Sequence, residues 1–184
     1  MNKLLVLEII SFSFNILFIL FYIKEIKWCW AFGILGSLSG ALLFYNNLLY
    51  SETLLYIFYA FMGLYGLYIW NRIESQELQI KRIKRSSVFA IVLFGVAASL
   101  GLGFLMGKLD ADKTYYDALS TVFGIIATFL EIYKYLVAWL FWILINMYSI
   151  WLYKITELDF LAIQMLIYTG LSVYGYFQWK NKLT

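Results

Sequence analysis

Histidine and proline are absent from this chain of 184 residues, and cysteine occurs once, at Cys29. Without histidine there is no imidazole general base and no catalytic zinc site of the usual kind. A lone cysteine makes neither an internal disulfide nor a cysteine-rich metal site. Charge is scarce as well: 14% of residues are charged while 64% are hydrophobic, and the mean hydropathy is +0.80. A soluble core cannot hide that much apolar surface, so the composition defines a polytopic membrane protein. No Gly-rich loop ending in Lys-Ser or Lys-Thr is present, so nothing points to ATP hydrolysis by the chain itself. An enzyme would have to work with carboxylates, lysines or tyrosines in or beside the membrane. We therefore expect no catalytic residue, no metal and no cofactor.

What is present is a series of apolar stretches long enough to cross about 30 Å of hydrocarbon. Seven are expected, roughly Leu4 to Tyr22, Cys29 to Tyr45, Thr53 to Trp70, Ser86 to Gly107, Asp117 to Lys134, Val137 to Tyr153 and Phe160 to Trp179. The first follows Lys3 as a signal peptide would, but it carries Glu8 and Asn15 and lacks a small-residue cleavage site, so it is read as a retained helix. The segment Tyr59-Ala-Phe-Met-Gly-Leu-Tyr-Gly-Leu-Tyr-Ile-Trp70 recurs 109 residues later as Tyr168-Thr-Gly-Leu-Ser-Val-Tyr-Gly-Tyr-Phe-Gln-Trp179. The same ungapped shift sets Trp30-Ala-Phe-Gly-Ile-Leu35 on Trp139-Leu-Phe-Trp-Ile-Leu144. The chain thus reads as an internal duplication.

The shift maps spans one to three onto spans five to seven and leaves span four as a connector. The expected fold is an all-α integral membrane protein of seven transmembrane helices in a 3+1+3 plan. Residues 1–72 form the first three-helix repeat, 73–115 a basic connector with the linking helix, and 116–184 the second repeat. One linking helix returns the chain after three crossings, so the repeats are parallel rather than inverted. Span four places Gly95, Ser99, Gly103 and Gly107 at steps of four, a stripe suited to close helix packing.

Lys and Arg fall unevenly about the spans. Lys3, Lys108, Lys113 and Lys154 share the side of the N-terminus, while the other ten basic residues lie opposite: Lys24, Lys27, Arg72, Lys81, Arg82, Lys84, Arg85, Lys134, Lys180 and Lys182. The C-terminus and the connector are expected to be cytoplasmic, with the N-terminus outside. The run Lys81-Arg-Ile-Lys-Arg85 reads as a topogenic cluster near anionic headgroups of the bilayer and not as a nucleic-acid patch.

Candidate site residues follow from helical spacing. Trp139, Trp142, Asn146, Ser149 and Tyr153 share one face of span six, and Gln164 and Tyr168 lie four apart on span seven. Tyr59, Gly63, Gly66 and Trp70 form the matching line on span three. Amides within an apolar span need partners, either another helix or a ligand. Span five carries Thr121, Gly124, Thr128, Glu131 and Tyr135 in the same rhythm, and Glu131 is the leading charged candidate because burying a carboxylate in a membrane costs a few kcal/mol or more. Its alternative is a Glu131–Lys134 pair with both side chains reaching to water. Trp28, Trp70 and Trp179 fit interfacial belts. A carboxylate among aromatic rings suits an aromatic cation.

The blocks Trp28-Cys-Trp-Ala-Phe-Gly-Ile-Leu35, Leu64-Tyr-Gly-Leu-Tyr-Ile-Trp70 and Val173-Tyr-Gly-Tyr-Phe-Gln-Trp179 resemble the PnuC-type vitamin transporters over most of the chain. That resemblance implies a seven-span 3+1+3 protein of the bacterial inner membrane. It implies facilitated diffusion of a small vitamin, a homotrimer, and a cytoplasmic kinase that traps the product. Members that carry nicotinamide riboside have a signature approximating Trp-x-x-x-Arg-x-x-x-Glu-Asn-Trp before and into span six. In this chain the stretch from Phe129 to Trp139 keeps Trp139, followed by Trp142 and Asn146. Tyr133, Val137 and Ala138 stand where Arg, Glu and Asn are expected. Losing three directional partners points to another ligand, and thiamine, carried by the related PnuT branch, becomes the leading expectation over nicotinamide riboside.

The expected mechanism is alternating access of the two repeats, with Trp139, Trp142 and Tyr168 stacking on the substrate and Asn146 and Gln164 orienting it. Glu131, Thr128 and Tyr59 complete the candidate set. A SWEET-type sugar transporter shares the plan but has proline-bearing spans. A non-transporting assembly or sensory protein leaves the repeated aromatic blocks unexplained.

Overall fold

A computed structural model of the chain describes residues 3–46, 50–73, 78–107, 114–155 and 159–183. Seven helices follow one another: α1 (Lys3–Ile23), α2 (Cys29–Asn46), α3 (Tyr50–Arg72), α4 (Arg85–Gly107), α5 (Thr114–Ile132), α6 (Val137–Ile155) and α7 (Asp159–Asn181). Among the described residues there is no strand, and the single isolated bridge joins Lys81 to Tyr135. Helices α1, α2, α3, α4 and α6 are long and apolar enough to cross a membrane; α5 contributes the shorter apolar stretch Ala118–Ile132. Lys108 and Lys113, which entered the charge count, lie outside the described residues.

In spans this apolar, each hydroxyl needs a partner close at hand. Ser13, Ser39, Ser99, Thr128 and Thr169 each donate to the carbonyl four residues back, at 2.7–2.8 Å. These bonds satisfy the hydroxyl without an acceptor from elsewhere. Large apolar side chains face outward instead, Phe89 71% exposed and Leu144 67%, as suits a lipid-covered surface.

The chain divides into two compact units, Met1–Gln79 and Ile80–Thr184. In the first, α2 packs against both α1 and α3. In the second, α4 packs on α5, α5 on α6, and α6 on α7. The small-residue stripe on α4 turns inward at Gly95, Ser99 and Gly103, with Gly95 against the Phe123 ring of α5, while Gly107 is exposed. Packing on α5 therefore accounts for the glycine at position 95.

The duplication is visible in hydrogen bonds. Helix α1 ends in a Schellman turn in which Glu25 N–H donates to Tyr22 O at 2.9 Å and Ile26 N–H to Phe21 O at 3.0 Å. Helix α5 ends the same way 109 residues on, Lys134 N–H to Glu131 O at 3.0 Å and Tyr135 N–H to Leu130 O at 2.9 Å. The left-handed residue in each turn is not glycine: Glu25 has φ 57° and Lys134 φ 55°. The span expected to run to Lys134 thus stops at Ile132, and Lys134 belongs to the turn.

An aromatic lock recurs at the same shift. The Trp30 and Trp70 rings meet edge-on at 5.6 Å and 83°, and Trp139 and Trp179 meet at 5.4 Å and 87°. Each first tryptophan lies over a glycine of the third helix of its repeat: a Cβ on Gly66 would come within 2.5 Å of Trp30, and one on Gly175 within 2.5 Å of Trp139. Only glycine lets the indole lie that close to the backbone. Trp70 is 9% exposed and Trp179 fully buried, so their place is this lock and not an interfacial belt; Trp28, at 61% exposed, keeps the belt reading.

Candidate functional site

Because the two repeats share turns and locks, the places where they differ mark what the second does beyond holding itself together. Under the 109-residue shift, Tyr22, Gly33, Ser37 and Leu55 of the first unit correspond to Glu131, Trp142, Asn146 and Gln164 of the second. A phenol, a glycine, a hydroxyl and an alkyl chain become a carboxylate, an indole and two amides.

The structure brings the first two of these together. Glu131, in the last turn of α5, is 4% exposed, and its Oε2 accepts a hydrogen bond from Trp142 Nε1 of α6 at 3.2 Å. The turn between α5 and α6 makes this meeting possible, since the two residues are 11 apart in sequence and on different helices. Lys134 is also buried, at 7% exposed, so the alternative in which both Glu131 and Lys134 reach to the surface does not occur. Trp142 also packs against the buried cluster of Ala127, Leu130, Ala138 and Phe141.

Asn146 follows Trp142 by one helical turn and is 5% exposed, and its amide has no hydrogen-bond partner among the described residues. The opposite face of α6, carrying Leu140, Leu144, Met147 and Trp151, is exposed; of the predicted polar and aromatic face, Trp139 and Asn146 are buried and Trp142, Ser149 and Tyr153 half-buried. On α7, Gln164 is 7% exposed and donates through Nε2 to the Tyr168 hydroxyl at 2.8 Å. That bond sets the amide and the phenol side by side on one face.

The remaining candidates are placed differently. Trp139, 2% exposed, is wedged between Gly175 and Trp179, and this position in the lock holds α6 on α7. Thr128 is buried and its hydroxyl is spent on Gly124 O at 2.8 Å. Tyr59 belongs to the first unit, beside Tyr56 and Phe58. The Glu131–Trp142 bond was not anticipated from spacing within a single helix. The signal that reveals it is the paired departure of Tyr22 and Gly33 from the repeat.

A duplicated three-helix unit with a linking helix, lipid-facing side chains, and a carboxylate and amides buried in one repeat describe a membrane protein with a transporter fold. The chain belongs to the nicotinamide mononucleotide transporter family, whose model matches residues 5–181. It is 26% identical over 178 residues to the nicotinamide riboside transporter PnuC of Escherichia coli (strain K12), covering 82% of this chain and 74% of that protein. The PnuC of Shigella flexneri gives the same figures. The fold is similar to the crystal structure of the vitamin B3 transporter PnuC, with a TM-score of 0.81 and 23% identity over 95% of this chain and 80% of that one. The PnuC-type resemblance carried by the aromatic blocks is thereby confirmed. Both named relatives are nicotinamide riboside transporters, which leaves the expectation of thiamine without support from them.

Proposed function

We propose that this protein takes up nicotinamide riboside, or a closely similar aromatic cation, across the bacterial inner membrane without altering it chemically. The observation that carries the reading is the buried Glu131–Trp142 pair with Asn146 one turn further along α6. A carboxylate beside an indole attracts a pyridinium ring through charge and ring stacking together, and an amide with no partner among the described residues is available to a hydroxyl or carboxamide. Gln164 and Tyr168 supply further hydrogen-bonding groups on α7. Trp139 serves by fixing α6 against α7, a positioning role in place of the stacking role the sequence suggested. Thr128 is a secondary member of the site, adjoining it on α5, and Tyr59 is a separate candidate contact for the substrate on the first unit.

The two repeats alternate access to this site, and the substrate moves down its own gradient until a cytoplasmic kinase traps it by phosphorylation. The chain works as a homotrimer with its N-terminus outside and its C-terminus in the cytoplasm, the side richer in Lys and Arg. Thiamine stays as a second reading because Tyr133, Val137 and Ala138 replace the Arg, Glu and Asn of the riboside signature. Calorimetric titration of the purified protein with each compound separates the two. Saturable binding of nicotinamide riboside and not thiamine is expected; the reverse makes thiamine the substrate, and silence from both removes the vitamin reading.

A further inference from the structure

Four of the fourteen basic residues of the chain fall between positions 81 and 85, and the structure gives this run a fixed seat. Residue 81 is clasped to the α5–α6 turn by two backbone hydrogen bonds: Lys81 N–H donates to Lys134 O at 3.1 Å, and Leu136 N–H donates to Lys81 O at 3.0 Å. The two bonds bracket Tyr135, whose ring lies 4.8 Å from Lys81 Nζ. No such bridge occurs at the matching Glu25–Lys27 turn of the first unit among the described residues. Immediately beyond, α4 begins at Arg85 and presents Phe89, Leu93, Phe94 and Val96 outward. The cations therefore stand at the polar end of a lipid-facing helix, where headgroups lie.

Lys81, Arg82, Lys84 and Arg85 are all exposed, and among the described residues none of them pairs with a carboxylate. A run of like charge repels itself, and holding it in one place by a backbone clasp concentrates that repulsion. An anion relieves it. We propose that residues 81–85 form a binding surface for the phosphate-bearing headgroups of anionic lipid, held ready by the clasp on the α5–α6 turn. Arg82 and Arg85 supply forked donors that match phosphate oxygens, and Lys81 and Lys84 supply point charges. The partner is lipid because the seat adjoins exposed apolar side chains of α4, which the acyl chains of the same molecule would cover and which a free phosphate would leave bare.

The test is native mass spectrometry of the detergent-purified full chain offered an equimolar mixture of phosphatidylglycerol and phosphatidylcholine. Each cation near an anionic surface contributes about a fivefold preference. The protein should retain phosphatidylglycerol at least about tenfold over phosphatidylcholine, and the triple variant Arg82→Gln, Lys84→Gln, Arg85→Gln should lose most of that preference. A control variant, Lys24→Gln, Lys180→Gln, Lys182→Gln, removes as many exposed charges elsewhere and should keep it. Equal retention of both lipids by the unmodified protein overturns the proposal whether or not the variants fold. So does an equal loss in the control, which would reduce the effect to bulk charge.

Discussion

Gly175 and Gly170 both lie within α7, yet alanine should be tolerated much less well at the first than at the second. A Cβ on Gly175 would sit 2.5, 2.6 and 2.8 Å from three ring atoms of Trp139, whereas one on Gly170 meets nothing within 4 Å. The Trp139 ring has little room to retreat, being 2% exposed and edge-on to Trp179 at 5.4 Å. Overpacking of this kind costs about 1–3 kcal/mol. Helix propensity favours alanine by about 1 kcal/mol at either position and cancels between the two variants. Gly170→Ala should therefore gain about 1 kcal/mol, and Gly175→Ala should fall below it by about 1–3 kcal/mol. For a chain of this size that separation corresponds to about 2–12 °C in Tm, read by thermal unfolding in one detergent. Gly66→Ala should match Gly175→Ala, because its Cβ would meet Trp30 at the same 2.5 Å. Equal Tm values for Gly170→Ala and Gly175→Ala would refute the lock.

Asn146→Leu removes a buried amide with no partner among the described residues, so the protein should become no less stable while its affinity for the bound vitamin falls about tenfold; a variant that unfolds with its affinity intact contradicts the site. A double-mutant cycle of Glu131→Gln and Trp142→Phe should give a coupling of about 1–2 kcal/mol in stability, and additive effects within about 0.3 kcal/mol would mean the 3.2 Å bond contributes nothing. Glu25→Gly relieves a left-handed residue at φ 57° and should raise stability by about 1 kcal/mol, a shift of about 2–4 °C in Tm; a drop would show that the Glu25 side chain outweighs its backbone cost.

The repeat was legible because the lock has a chemical signature: Trp30, Gly66 and Trp70 recur as Trp139, Gly175 and Trp179, and only glycine admits an indole at such a distance. The inward face of α6 was legible too, since Trp142 and Asn146 fall at helical spacing while Leu140 and Leu144 fall opposite. Spacing within single helices misled at the end of span five. Lys134 fits the helical rhythm, yet the chain leaves the helix at Ile132 and turns left-handed without a glycine to announce it.

By itself the sequence determined the solvent, the helices and the duplication, because hydrophobic content, span length and a fixed shift are properties read along one dimension. Only the tertiary structure decided which residues meet across helices: Glu131 with Trp142, Trp139 with Gly175, and residue 81 with the turn around Tyr135. Those meetings depend on how each turn aims the next helix, and a turn's direction comes from a few backbone dihedrals and hydrogen bonds that composition and periodicity leave open.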